Sequence, residues 1–91
     1  MVQIWLRCDL RSPEFGTPTR DLARIHLEQA AWADNHGFEA VVLGEHHGLS
    51  DGFNPSPMVL GAAIAARTSR MRIHPSAVLL PLHDPIRVAE D

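Results

Sequence analysis

The sequence has 91 residues, of which 45% are hydrophobic and 21% are charged, an ordinary composition for one small globular domain. Its net charge of −3 gives no electrostatic reason to expect nucleic acid or an anionic membrane as a partner, and its longest nearly uncharged apolar stretch, residues 55–66, is too short to span a bilayer. The single cysteine, Cys8, excludes an internal disulfide, favours a reducing cytoplasm, and is interpreted as a buried, inert thiol.

The first predicted elements are a strand and a helix. Residues 2–6 alternate and are rich in strand formers, which predicts a strand ending near Cys8. Two prolines, a glycine and a serine make residues 9–18 a loop. A helix should begin near Thr17 or Thr19, because either side chain can cap it. Its core-facing positions recur at helical spacing: Ala23, Leu27, Ala30, Ala33 and Gly37. The glycine then ends the helix as a left-handed cap.

A second strand and a second helix follow. The uninterrupted apolar run over residues 40–43 predicts a strand buried on both faces, as in a parallel sheet. After a polar, glycine-rich loop, Ser56 and Pro57 have the pattern of an N-cap and a first helical residue. The helix predicted over residues 56–68 carries apolar or small side chains on every side and so needs cover on two sides. The sheet can cover one side, and we expect a second subunit to cover the other.

The third unit completes a β-α-β-α-β-α order. Residues 71–80 predict a strand closed by Pro81, and Asp84-Pro85 repeats the cap-and-proline pattern before a helix that runs to Asp91. A closed (β/α)8 barrel requires eight such units and about 250 residues. We therefore expect residues 1–91 to be the amino-terminal three β/α units of a barrel that is incomplete in this chain. The alternative is a short chain that folds only by assembling with others.

The best candidate for chemistry is Glu45-His46-His47, directly after the second predicted strand. In parallel α/β proteins, functional groups collect at the carboxyl ends of the strands. Imidazole has its ordinary pKa near neutrality, which suits proton transfer, and a neighbouring carboxylate can orient it. The simpler alternative is that both histidines are solvated loop residues. We favour function because the residue types and their position agree.

The other histidines differ in position. His83 follows the third predicted strand and lies at the same mouth as His46. His74, early in that strand, is interpreted as a packed or capping residue, and we expect His26 and His36 of the first helix at the surface.

The sequence does not favour a metal site at the predicted carboxyl edge. Zinc accepts such ligands as Glu45, His46, His47 and His83, which could converge. However, no recognised metal-binding spacing is present, and adjacent histidines point in different directions, which makes a poor chelate. The chain also lacks G-x-G-x-x-G, P-loop and G-x-S-x-G motifs, which argues against the usual dinucleotide, nucleotide and serine-hydrolase sites.

Three blocks of sequence together resemble the start of the bacterial luciferase-like, flavin-dependent monooxygenases. The first is A-A-W-A-D at residues 30–34, and the second, residues 37–47, ends in E-H-H. The third is the stretch 73–81, followed by H-D-P-I-R-V-A-E-D at residues 83–91. Their order and spacing match the family. The resemblance implies a (β/α)8 barrel that uses reduced FMN and molecular oxygen on a small organic substrate.

The resemblance also implies roles for individual residues. His46 matches the family's catalytic histidine, which gives acid/base support to the flavin–oxygen chemistry. Glu45 matches a residue whose backbone lies against the flavin ring. Ser76-Ala77 matches a pair joined by a non-proline cis peptide bond beneath that ring. The family's phosphate-binding residues lie on later strands, outside this sequence.

The partners implied by the resemblance are a second copy of the chain and a source of reduced flavin. The family dimerises through its second and third helices, which agrees with the apolar helix 56–68. A flavin reductase or NAD(P)H would supply the reduced cofactor. Two alternatives stay open: a deazaflavin-dependent dehydrogenase on the same barrel, and a non-catalytic subunit or inactive fragment. Oxygen consumption with reduced flavin distinguishes the first alternative from a monooxygenase.

Overall fold

Three β/α units follow one another in the structure, a computed structural model that describes residues 1–91. The strands are β1 (Trp5–Arg7), β2 (Ala40–Leu43) and β3 (Arg72–Pro75), which form one parallel sheet in that order. The helices are α1 (Thr19–Asn35), α2 (Pro57–Ala65) and α3 (Pro85–Glu90). The predicted element order and the buried central strand are confirmed, and none of the helices is long and apolar enough to cross a membrane.

The predicted start of β1 is wrong. The strand was expected over residues 2–6, but it begins at Trp5, because β2 offers pairing only from the point where the Glu39 N–H donates to the Ile4 carbonyl at 2.9 Å. Cys8 follows β1 and is buried, as predicted, and burial raises the pKa of its thiol to about 11.

The predicted end of β3 is also wrong. Its apolar sequence suggested residues 71–80, but the strand stops at Pro75 because its partner β2 stops at Leu43. The last bond of the ladder joins the Ser76 N–H to the Leu43 carbonyl at 2.6 Å. Beyond it lies a short 3-10 helix, Leu80–Leu82. The predicted cap of α3 is confirmed, since the Asp84 carboxylate accepts two backbone N–H groups in the first turn.

Helix α1 begins near Thr19 and ends before Gly37, as predicted, but its N-terminus is capped differently. Pro18 occupies the N-cap position and no side chain caps the helix, so the expected capping by Thr17 or Thr19 is wrong. Gly37 follows the helix with φ of 83°, which confirms the predicted left-handed position. The expected core face is confirmed for two of its alanines, Ala30 and Ala33, which are buried.

Helix α2 is shorter than the predicted 56–68. The Arg67 N–H bonds back three residues to Ile64, which tightens the last turn and ends the regular helix. Ser56 is the N-cap residue, but its side chain makes no capping bond. The buried residues of α2 are Pro57, Gly61 and Ile64. Val59, in contrast, is 71% exposed, so one apolar side of this helix is uncovered within the chain.

The core lies between the sheet and helices α1 and α2, which pack on the same sheet face. Its buried hydrophobic cluster comprises Cys8, Leu10, Ala30, Ala33, Val41, Leu43, Ile64 and Met71. Side chains alternate along a strand, so the intervening residues of all three strands point to the other face. No helix of the chain covers that face, where Trp5 is 46% exposed and packs against the exposed His74 with 5.5 Å between ring centroids.

Two histidines of α1 were predicted at the surface, and only one lies there. His36 is exposed, but His26 is buried, which corrects that prediction. The His26 Nε2 atom lies 2.8 Å from the Asp9 carbonyl oxygen, and its Nδ1 atom lies 2.9 Å from Gln29 Oε1. His26 therefore joins α1 to the loop after β1.

A buried carboxylate holds the opposite end of α1. Asp34 accepts backbone N–H groups from Ser69 at 2.8 Å, Arg70 at 3.1 Å and Met71 at 2.8 Å, immediately before β3. The hydrogen bond from Ser69, opposed by burial and helped by the other two amides, lowers the pKa of Asp34. This contact fixes the chain at the amino-terminal edge of the sheet.

Candidate active site

The three loops that follow the strands meet at the carboxyl edge of the sheet. The loop after β1 is joined to the loop after β2 by a hydrogen bond from the Ser12 N–H to the Asp51 carbonyl at 2.7 Å. The segment after β3 starts beside the end of β2, through the bond between Ser76 and Leu43. Parallel strands always bring such loops together, which is why polar residues from distant parts of the chain meet here.

Glu45 is the centre of this edge. It is 4% exposed, and its carboxylate accepts three hydrogen bonds. Oε1 accepts from Nε2 of His47 at 2.7 Å and from Nε2 of His83 at 2.7 Å. Oε2 accepts the backbone N–H of Leu79 at 2.7 Å. The loop after β2 and the segment after β3 are thus joined through one side chain.

The environment keeps Glu45 ionised. Burial alone would raise its pKa, but the hydrogen bonds from His47, the Leu79 amide and His83 outweigh burial and lower the pKa to about 2. A buried carboxylate that accepts three donors is a satisfied anion and not a proton reservoir near neutral pH. Its chemical effect is therefore to orient the groups that donate to it.

His46 is placed separately from that cluster. Its side chain is exposed and makes no hydrogen bond to Glu45; the ring packs edge-on against Phe53, with 4.1 Å between centroids and 78° between planes. Its backbone N–H donates to the Asn54 carbonyl at 2.9 Å. A Cβ added at Gly44 would lie 3.5 Å from His46 Nε2, an ordinary van der Waals distance, so the imidazole ring lies close to this glycine.

Asn54 closes the loop that carries these residues. It is buried, and its side-chain N–H donates to the Gly44 carbonyl at 3.0 Å while its Oδ1 accepts from the Ser56 N–H at 3.1 Å. On the outer side of Phe53, the Arg11 guanidinium lies 5.9 Å from the ring centroid and is paired with Asp9. Loop residues 44–54 are therefore held in one shape by buried polar bonds and aromatic packing.

Ser76 and Ala77 lie at the same edge, just past the end of β3. The peptide bond between them is cis, which confirms the geometry predicted for this pair. Both residues are exposed and small, so the backbone at this point is accessible from the uncovered face of the sheet.

The sequence correctly predicted that the candidate residues lie at the carboxyl edge of the sheet, but it did not predict all of their contacts. Glu45, His47 and His83 meet, whereas His46 turns to Phe53. The amide of Leu79 and the side chains of Phe53 and Asn54 were missed. Only Asn54 carries a local signal, because an asparagine two residues before Ser56 is typical of a turn in which its side chain accepts that residue's N–H.

No group of three or more His, Cys, Asp or Glu side chains is arranged to hold a metal ion. His47 and His83 direct Nε2 at the same carboxylate oxygen, and a nitrogen that donates a hydrogen has no lone pair for a metal.

Comparison with known proteins identifies relatives over nearly the whole chain. Residues 7–91 match the family model described as luciferase-like monooxygenase. The chain is 43% identical over 63 residues to 4-hydroxyprotoasukamycin monooxygenase of Streptomyces nodosus subsp. asukaensis, covering 69% of this chain and 17% of that protein. It is 31% identical over 87 residues to 2,5-diketocamphane 1,2-monooxygenase 1 of Pseudomonas putida, covering 92% of this chain and 24% of that protein.

Two solved structures share the fold. One is a type II Baeyer-Villiger monooxygenase, the oxygenating constituent of 3,6-diketocamphane monooxygenase from Pseudomonas putida in complex with FMN, with a TM-score of 0.83 and 26% identity. The other is apo-MsnO8, with a TM-score of 0.85 and 34% identity. They cover 98% and 99% of this chain, which covers 24% and 27% of theirs. The chain thus spans about a quarter or less of the relatives described.

Proposed function

The chain belongs to the luciferase-like monooxygenase family, and we propose that it is the amino-terminal three β/α units of a flavin-dependent monooxygenase. The complete protein would use reduced FMN and molecular oxygen to oxidise a small organic substrate. The proposal rests on the family match together with one structural observation: an exposed histidine, a buried glutamate and the small, exposed pair Ser76-Ala77 occur together at the carboxyl edge of a parallel sheet.

The residues at this edge fit a flat, uncharged ring. Ser76 and Ala77 are small and exposed, so a ring can approach their backbone from the uncovered sheet face. The loop after β1 does not offer a free cation for a phosphate, because Arg11 makes three side-chain hydrogen bonds to Asp9, two of them at 2.9 and 3.0 Å. We propose that the FMN phosphate is bound by later strands of the complete barrel.

Each proposed site residue has a role that its geometry supports. His46 would move protons, since its residue is exposed and its ring packs edge-on against Phe53. The backbone at Glu45 and at Ser76-Ala77 would lie against the ring of FMN. Bound reduced FMN supplies the electrons that activate oxygen, and the protein supplies position and proton transfer.

We also propose that the complete protein is a cytoplasmic homodimer supplied by a flavin reductase. The apolar side of α2 around the exposed Val59 is the expected contact between two copies. The unpaired, buried Cys8 is compatible with a reducing compartment. Sedimentation of the full-length protein should show a mass twice that of one chain.

Oxygen uptake by the full-length protein tests the proposed function directly. We expect the protein to bind FMN and, with chemically reduced FMN and a panel of small organic ketones and aldehydes, to consume oxygen in step with substrate oxidation. A protein that binds FMN but oxidises nothing in air would contradict monooxygenase activity. Anaerobic hydride transfer to a deazaflavin coenzyme would instead establish the dehydrogenase alternative.

A further inference from the structure

We propose that the Glu45 carboxylate is a positioning residue that joins the loop after β2 to the segment after β3 and so sets the shape of the flavin-binding edge. This inference rests on the proposed function, since it concerns the same edge. It differs from the role expected by resemblance, in which only the backbone of Glu45 contacts the cofactor. It also gives roles to His47 and His83, which are not otherwise assigned.

The chemistry of the three contacts requires a carboxylate. His47 Nε2, His83 Nε2 and the Leu79 amide all donate, and an ionised carboxylate is an acceptor at both oxygens. A glutamine has one acceptor oxygen and one NH2 group. Its NH2 group must face either the Leu79 amide, which can only donate, or the two imidazoles, which would have to give up their Nε2–H tautomers to accept. Because the position is buried, water cannot take over the lost contacts, so Glu45→Gln either breaks one side of the connection or changes the tautomers of His47 and His83.

The contacts also fix the state of both imidazoles. Each ring presents its Nε2–H to Glu45, so the neutral ring is held as the Nε2–H tautomer, with Nδ1 as the remaining acceptor. The side chains of His47 and His83 are 42% and 30% exposed, so each reaches from the buried carboxylate to the surface of the edge.

The same contacts hold the segment that contains the cis peptide. Its start is bonded to β2 through Ser76, and its continuation is bonded to Glu45 at Leu79 and at His83. The Ser76–Ala77 peptide therefore lies between two fixed contacts, one with Leu43 at the end of β2 and one with Glu45 in the loop after it. Loss of the Glu45 contacts frees one of them. His46 has no bond to Glu45, so its position depends on Phe53 instead.

The test compares Glu45→Gln with Glu28→Gln in the full-length protein. Glu28 undergoes the same chemical change, but it lies in an exposed ion pair with Arg67. We expect Glu45→Gln to weaken FMN binding about tenfold or more and to shift the visible absorbance of bound FMN, while Glu28→Gln matches the parent. In ligand-free protein, the two Nε2–H imidazole signals assigned to His47 and His83 by NMR should move or disappear in Glu45→Gln only.

A second pair of variants keeps the inference testable if Glu45→Gln does not fold. His83→Gln keeps a side-chain N–H donor for Glu45, and His83→Leu removes it. We expect His83→Leu to weaken FMN binding and His83→Gln to restore most of the loss. Equal FMN affinity in Glu45→Gln and parent, or in His83→Leu and parent, would overturn the inference while leaving the proposed function intact. If the parent itself binds no FMN, the proposed function fails. Unchanged imidazole signals in Glu45→Gln would then also show that Glu45 does not join the loop after β2 to the segment after β3.

Discussion

Asp34 and Glu45 are buried carboxylates at opposite edges of one sheet, and each accepts three hydrogen bonds. The donors to Asp34 are three consecutive backbone amides before β3. The donors to Glu45 are one amide and two imidazoles from different loops. In both cases hydrogen bonding outweighs burial and lowers the carboxyl pKa. Backbone amides can only hold the chain, whereas imidazoles can also exchange protons and face a ligand. A buried carboxylate therefore stabilises the fold at the amino edge, where it is Asp34, and orients the proposed site at the carboxyl edge, where it is Glu45.

The largest effect on folding should come from the amino edge. Asp34→Asn turns an NH2 group toward backbone donors that have no other partner there, so we expect the full-length protein to unfold about 4 °C lower or more. Turnover per folded molecule should be unchanged. Thermal unfolding followed by circular dichroism measures the melting temperature, with Asp21→Asn, at a partly exposed position of α1, as control. A melting temperature within about 1 °C of the parent would show that Asp34 is not a structural anchor.

Two glycines allow substitutions at the two edges to be compared at an equal expected loss of folding stability. Gly37 at the amino edge and Gly48 at the carboxyl edge have φ of 83° and 69°, and a Cβ added at either meets nothing within 4 Å. Alanine at each position should therefore destabilise the protein by about 1 kcal/mol through backbone conformation alone.

The two alanine variants should differ in activity. Gly48 follows His47 in the loop of the proposed site, so Gly48→Ala should lower turnover several-fold, and Gly37→Ala should not. Urea unfolding and oxygen uptake on the same preparations measure both quantities. Equal activity of the two variants would remove the functional distinction between the edges.

Acid should reduce the contribution of Glu45 to stability. Its folded pKa of about 2 lies below the ordinary value of 4.5, so the contribution is complete above the ordinary pKa and is lost as pH falls toward the folded pKa. The difference in urea midpoint between parent and Glu45→Gln should therefore narrow on acidification through that range. A difference that stays constant or widens would show that Glu45 is not held as a satisfied anion.

Local patterns predicted the fold where the cause was local. The uninterrupted run at Ala40–Leu43, the Asp84 cap and Gly37 after α1 need no information from distant residues, and all three were predicted correctly. The length of β3 was overestimated because a strand also needs a partner, and β2 ends at Leu43.

The candidate site depended on contacts between distant residues. Position after a strand was enough to predict that Glu45, His46 and His47 lie at the carboxyl edge. It was not enough to predict that Glu45 would bond to Leu79 and His83, because those residues are 34 and 38 positions away. His26 was misplaced for the same reason, since its partner Asp9 lies 17 positions earlier.

Replacement of His46 in the full-length protein tests the central claim most directly, namely that the carboxyl edge performs acid/base chemistry on a bound flavin system. The matched control is His36→Ala, which removes an exposed histidine at the end of α1. We predict that His46→Ala lowers turnover about 100-fold or more while FMN affinity is retained, and that His36→Ala does neither. Turnover of His46→Ala equal to that of the parent would contradict the account.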